Sequence, residues 1–413
     1  MPPPTTRKFV FPIAHKAFPT VRNSATQSLR FSLASIPPGC YSVFFPIMDR
    51  LKVGIIGCGN ISKIYAEAGT KFEALEIVAC ADLEVERARK LAEEHGIALA
   101  TTPEKLLSER EIDIVVNLTI PAAHASVALQ AVRAGKHVYN EKPVAVKRRE
   151  AREFIGLARE KALRVGCAPD TFLGAGLQTC RKLIDEGAIG TPLAACANML
   201  SRGVETWHPN PEFFYKKGAG PLFDMGPYYL TALTTLLGPV SRVAGSARIG
   251  IPVRQITSQP LAGKMITVET PTHVAGLLEF ECGVVTTLTM SFEVAAHNCP
   301  RLEIYGEEGT LSLPDPNTFG GPVSIRKKDA SEWEEIPVAF PYADNSRGLG
   351  VADMAEAITS DREHRASDRI AYHVLDVMHT ILDASEAGRT LEVASTMARP
   401  APFPQDMPVG RAV

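Results

Sequence analysis

Leu51–Ile56 reads as a buried strand, and it runs straight into the turn Gly57-Cys58-Gly59-Asn60-Ile61-Ser62. A helical stretch follows, and then a second apolar strand, Leu75–Ala81, ends on Asp82. Few folds accept that order. A strand feeding a glycine turn, a helix and a parallel strand makes a right-handed crossover unit. Gly57 suits the tight bend. Gly59 lets a pyrophosphate approach the backbone at a helix start, and Asn60 and Ile61 complete the expected cofactor-contacting turn. Ser62 stands where a third glycine is usual. An acid closing the second strand would accept hydrogen bonds from the adenosine ribose hydroxyls and repel a 2′-phosphate. Asp82 therefore favours NAD, with NADP the lesser expectation. Arg87, five residues on, could soften that choice or simply be solvated.

The alternation continues. Residues 62–71 and the stretch around 88–94 read as helices, and residues 112–118 as a third buried strand. Thr119, Pro121 and His124 open the next helix and are expected at the cofactor, His124 either there or as a cap. Residues 136–140 form a fourth strand. It ends on Glu141-Lys142-Pro143, which places Glu141 and Lys142 beside a bound nicotinamide. A helix over 145–161 leads to a last strand at 164–168. The expected architecture is α/β: an N-terminal Rossmann doubly wound parallel sheet over 48–168.

From Pro169 the period changes. A helix over 176–186 precedes extended runs at Pro192–Leu200, 242–249, His273–Phe280, 284–292, 302–305 and Val323–Lys327, and helices over 348–359 and 370–386 close the chain. Residues 169–413 thus read as an α+β domain with a largely antiparallel open sheet, one face of which can pack on helices while the other covers the nicotinamide and binds substrate. Two constellations there carry chemistry. Asp224 and Tyr228 are four apart and share a face if helical. They could orient a sugar hydroxyl or relay a proton, or Asp224 could merely cap the helix. Trp207 and His208 lie in a proline-bounded loop, where the indole offers a flat face to a sugar ring and the imidazole suits acid–base work.

Composition bounds the rest. The 413 residues carry 44 basic and 46 acidic side chains, so nothing argues for nucleic acid. No apolar run is long enough to span a membrane. The eight cysteines form no paired motif and read as reduced thiols, with Cys58, Cys80, Cys167 and Cys196 as small core residues. His95, His137 and His273 lack partners at ligand spacing, so no metal is expected. Residues 1–47 contain no acid but do contain Arg7, Lys8, Lys16, Arg22 and Arg30. That is the composition of an organelle transit segment, although Met48 leads into the first strand as a native start would. Either way the segment is expected to be disordered and outside the enzyme, and the preferred location is cytoplasmic.

Together the glycine turn, Asp82, Glu141-Lys142-Pro143 and the Asp224 segment resemble the glucose–fructose oxidoreductase/inositol dehydrogenase (Gfo/Idh/MocA) family. The resemblance spans the chain from Met48 onward. It implies NAD(P), a sugar, glycoside or cyclitol substrate and homo-oligomerisation through the C-terminal sheet, with Lys142 matching the catalytic lysine. It also implies that Asp170, where the chain crosses between domains, touches substrate. Members commonly carry a histidine four residues after the aspartate; this chain has Tyr228 there, which puts the proton acceptor in question. The expected activity is hydride transfer between a secondary hydroxyl and the nicotinamide. An NAD-retaining glycoside hydrolase and a non-catalytic NAD sensor are the alternatives.

Overall fold

The computed structural model describes residues 50–412. The expectations for residues 1–47 lie outside that range.

The first half is β1 (Leu51–Ile56), α1 (Ser62–Ala66), α2 (Ala68–Lys71), β2 (Leu75–Ala81), α3 (Val85–His95), β3 (Leu99–Thr101), α4 (Pro103–Ser108), β4 (Ile114–Asn117), α5 (Pro121–Arg133), β5 (His137–Asn140), α6 (Arg148–Glu160) and β6 (Val165–Cys167). The six strands pair in parallel in the order β3-β2-β1-β4-β5-β6. The order reverses at β1, so the carboxyl ends of β1 and β4 open a crevice, the position at which such sheets bind ligands. Val53, Ile55, Ile114, Val115 and Val138 are fully buried, as strands covered by helices on both faces must be.

The second half contains α7 (Ala175–Asp185), β7 (Pro192–Leu200), α8 (Gly220–Leu237), β8 (Val240–Arg248), β9 (Val253–Gln255), β10 (Met265–Thr267), β11 (His273–Phe280), β12 (Val285–Ser291), β13 (Leu302–Gly306), β14 (Gly309–Ser312), β15 (Val323–Lys327), β16 (Glu334–Ile336), α9 (Leu349–Thr359), α10 (Asp368–Ala387) and β17 (Leu391–Glu392). Nine strands form one sheet in the order β16-β15-β14-β13-β7-β12-β11-β8-β17, all antiparallel except β12 on β7. Alternation sets its faces. Thr286, Leu288 and Met290 turn toward the core, while Val285 and Leu277 stay exposed. The core face is covered by α8 and α10, whose apolar positions are almost wholly buried.

Three local readings need correction. The helix expected over 62–71 breaks at Glu67. There Thr70 gives both its N–H and its hydroxyl to the Glu67 carbonyl and tightens the turn. The helix expected from 145 begins at Arg148, because side chains of Asn140 and His379 take the Val144 and Val146 carbonyls. Cys58 and Cys196 are half-buried rather than core, although Cys80 and Cys167 are buried.

Candidate active site

The glycine turn is set by sterics. Gly57 has φ of +100°, and a Cβ there would lie 2.7 Å from the Leu118 carbonyl carbon, so only glycine fits. A Cβ on Gly59 would meet nothing within 4 Å, which leaves that side of the turn clear for a ligand. Ser62 is buried and donates its hydroxyl to the Gly59 carbonyl at 2.6 Å, closing the turn from beneath. Asn60 is exposed and Ile61 half-buried. Asp82 sits alongside, its two oxygens accepting from the N–H groups of Cys58 (2.8 Å) and Glu84 (2.9 Å). Arg87 is bound by Glu84 at 2.8 and 3.0 Å, which directs it away from a softening role at Asp82. A clear cradle beside a backbone-fixed carboxylate fits a dinucleotide.

At the ends of β4 and β5 the buried amides Asn117 and Asn140 bond each other at 2.9 Å. Asn117 also accepts from the N–H and hydroxyl of Thr119, at 3.3 and 2.7 Å, and so fixes the loop before α5. Pro121 takes the first helical position, where its missing N–H costs nothing. His124 neither caps α5 nor opens toward the crevice. It is 1% exposed, with its ring nitrogens 2.7 Å from the Pro143 carbonyl and 2.8 Å from that of Thr119. The reading of His124 as a cofactor contact is corrected accordingly: it ties the Thr119 loop to the Lys142-Pro143 segment. Burial lowers its pKa below the ordinary histidine value.

Glu141 is likewise turned inward. One oxygen accepts from the Tyr65 hydroxyl and the other from the Lys142 N–H, each at 2.9 Å, so it aims the residue that follows. The Lys142 ammonium then reaches α8. It donates to Asp224 Oδ1 and to the Asp224 carbonyl oxygen, both at 2.9 Å, and lies 5.1 Å from the centre of the Tyr228 ring. Burial alone would lower this lysine, but Asp224, Tyr228 and Glu141 outweigh it and hold it above its ordinary value. Its side chain and that of Asp224 are 18% and 19% exposed, so the pair sits at an accessible edge. Asp224 and Tyr228 lie within α8 on one face, and Asp224 is not a cap.

Asp224 also lines a cleft of about 260 Å³ shared with Asn198, Trp207, His297 and Arg301. The structure thus brings Trp207 and Asp224 together. His208 does not line that cleft: its ring stands edge-on to those of Trp207, Phe213 and Phe214, and its Nδ1 accepts from the Asn210 N–H at 3.0 Å. Asp170 is also diverted from substrate. It is 1% exposed, and one carboxylate oxygen accepts from the N–H groups of Gly348 (2.9 Å) and Gly350 (3.0 Å).

Sequence reasoning missed Arg347. Its guanidinium is held by Asn317 and Asn345, its charge acts on the Tyr228 phenol, and it lies 119 positions beyond that tyrosine in the chain. No local motif announces it. Among the described residues no group of three or more His, Cys, Asp or Glu could hold a metal, and no helix is long and apolar enough to cross a membrane.

Comparison with known proteins bears on this geometry. Residues 51–168 match the family model of the oxidoreductase family with an NAD-binding Rossmann fold, and residues 177–312 match the GFO/IDH/MocA C-terminal domain. The dTDP-3,4-didehydro-2,6-dideoxy-alpha-D-glucose 3-reductase of Streptomyces violaceoruber is 28% identical over 77% of this chain and 88% of its own. The 1,5-anhydro-D-fructose reductase of Ensifer adhaerens is 28% identical over 69% of this chain and 82% of its own. Among solved structures, levoglucosan dehydrogenase in complex with NADH superposes with a TM-score of 0.73 at 21% identity, over 84% of this chain and 100% of that one.

Proposed function

Because the chain belongs to the Gfo/Idh/MocA family of NAD-binding oxidoreductases, we propose that it transfers a hydride between a secondary hydroxyl of a sugar, glycoside or cyclitol and the nicotinamide. The observation that carries this reading is the Lys142–Asp224 pair, 2.9 Å apart beyond the carboxyl end of β5, with the Tyr228 ring against it. The relatives' sugar substrates supply the class. The hydrolase and sensor alternatives draw no support from these relatives.

When bound, the cofactor supplies the hydride acceptor or donor. The protein does the rest. Lys142 remains an ammonium at neutral pH and stabilises charge on the reacting oxygen, an interaction strongest in the transition state. In reduction its Nζ delivers a proton to that oxygen. In oxidation Nζ first passes a proton to Asp224 Oδ1 and then takes the one leaving the hydroxyl. Burial raises the Tyr228 phenol, so it acts as a hydrogen-bond donor to substrate rather than as the resting base. The indole of Trp207, 66% exposed, is a platform for the ring. NAD is favoured over NADP, since Asp82 faces the turn and Arg87 is taken by Glu84. The open sheet face bearing Leu277 and Val285 is the surface for self-assembly, which light scattering would test.

The test is a panel of levoglucosan, D-xylose, methyl glucosides and myo-inositol with NAD, and 1,5-anhydro-D-fructose with NADH. Each reaction is followed by nicotinamide absorbance and product mass. An absorbance change with a product two mass units away supports the reading. Mass change without net absorbance change, or neither, overturns it.

A further inference from the structure

β9 and β10 form a two-stranded hairpin outside the nine-stranded sheet. A ribbon of that size is marginal alone and needs something to lie against. Its pleat leaves Val253 and Gln255 exposed and turns Arg254 inward, where it is 5% exposed. A charge on that face must be met by opposite charge and hydrogen bonds. Nη1 donates to Glu205 Oε1 at 2.6 Å and to the Arg202 carbonyl at 3.4 Å. Nη2 donates to the Phe292 carbonyl at 3.1 Å and pairs with Glu293 Oε2 at 2.6 Å. The other two carboxylate oxygens accept from the hydroxyls of Tyr215 and Thr272. The segments that this guanidinium joins both line the cleft beside Asp224: Ser201, Val204 and Trp207 from the loop after β7, and Phe292 from just past β12. The hairpin also grips that loop directly. The N–H groups of Thr257 and Ser258 donate to the Glu205 carbonyl at 3.0 and 3.2 Å, and the Ser258 hydroxyl donates to the His208 carbonyl at 2.6 Å. The backbone is thus held on both sides of Trp207, whose indole is itself 66% exposed.

We propose that Arg254 is a specificity-determining positioning residue: it fixes the Trp207 loop against the end of β12, and so sets how a sugar ring seats beside Asp224. The role rests on the reading of that cleft given above. A guanidinium is a rigid planar fork and can hold two carboxylates at one separation, which the point charge of a lysine cannot. The loop backbone also runs hard against the ion pair. Gly203 has φ of +97°, and a Cβ there would lie 2.8 Å from Arg254 Nη1. A shift of the guanidinium is thereby passed to the loop. Arg254 does not line the cleft, and it touches neither substrate nor cofactor in this scheme. It acts through Val204, Trp207 and Phe292. The Lys142–Asp224 pair is not part of its network.

Two measurements decide it. The first follows whichever sugar of the panel reacts, with NAD affinity and melting temperature as controls. Arg254→Lys should raise KM for the sugar about tenfold, the worth of one charge-assisted hydrogen bond, and spread oxidation over more than one carbon of the ring. Turnover at saturation should stay within about twofold, as it does when binding alone is loosened. A lower melting temperature with KM and product pattern unchanged, or a loss confined to kcat, overturns the proposal. The second needs no substrate. The chain has two tryptophans, so Trp333→Phe leaves Trp207 as the sole indole. In that background its fluorescence anisotropy should fall in Arg254→Lys and, by less, in Ser258→Ala, which removes one hydroxyl. An unmoved anisotropy overturns the proposal, and if Arg254→Lys does not fold, Ser258→Ala decides alone. A panel in which no sugar reacts would instead overturn the reading beneath it, and the anisotropy would still decide this one.

Discussion

Asp82, just past the end of β2, and Asp224, inside α8, are both half-buried carboxylates, but they are held in different ways. Asp82 spends both oxygens on backbone N–H groups, one from the turn after its neighbouring strand and one two residues away. Asp224 is held by a side chain, the ammonium of Lys142, 82 positions distant. A backbone partner cannot leave without deforming the fold, whereas a side-chain partner can exchange during a reaction. The first arrangement suits a site that recognises a fixed ligand. The second suits one that must accept and return a proton.

The largest effect that would test this contrast is at the exchangeable end. Lys142→Met should lower turnover by about a hundred- to a thousand-fold, the usual cost of one transition-state donor, and leave NAD affinity near its original value. Equal losses in turnover and NAD binding would erase the distinction. At the fixed end, two neighbouring glycines should part company. Gly57→Ala forces a Cβ against the Leu118 carbonyl at a positive φ and should destabilise the fold by more than about 1 kcal/mol. Gly59→Ala meets nothing and should keep the melting temperature while weakening NAD binding. Thermal melts with and without NAD separate the two, and parallel behaviour would mean that the turn is not shaped by the contacts described.

A smaller effect is expected at Asp82. Asp82→Ala should narrow the preference for NAD over NADP measured by calorimetry. A native protein that binds NADP as tightly would remove the recognition role from this carboxylate.

The smallest effect concerns pH. Burial pushes the Asp170 carboxyl up from the ordinary carboxylate range to about 6, against the pull of the Gly350 and Gly348 N–H groups and Arg347. The folded protein therefore holds this proton more tightly than the unfolded chain. The resulting stability is present below the unfolded value of about 4 and is lost as pH rises toward 6. Asp170→Asn keeps an acceptor for both N–H groups and should remove that loss. The difference in melting temperature between native and variant should thus change between pH 4 and 6 and be level above 7. A difference independent of pH would show that Asp170 does not titrate in this window.

The contrast between the two aspartates also explains what the sequence could reveal. The turn and Asp82 are legible because Gly57, Gly59 and the end of β2 are joined by one short crossover, so order along the chain mirrors order in space. Lys142, Asp224 and Tyr228 are legible singly, through the strand before one and the four-residue spacing of the others, but their meeting depends on α8 folding back. Arg347 is illegible, since its charge acts on Tyr228 from a loop with no period of its own. The inward turns of His124 and Asp170 are hidden for a related reason. Each polar side chain is buried because a backbone group from elsewhere is there to satisfy it. Short strands fail differently: β3 has three residues and β17 two, too few for an alternation to register.

One count at Lys142 has a consequence for selectivity. An ammonium carries three hydrogens, and two of them already go to the carboxylate and the carbonyl of a single residue, Asp224. One vacancy remains. The lysine can thus greet only one oxygen of a many-hydroxyl ring at a time, and it is blind to the rest. Which carbon loses its hydrogen is then decided by how the ring is seated against the cleft wall, by Asn198, Trp207 and Arg301. Re-cutting that wall should redirect the reaction around the ring without touching the lysine.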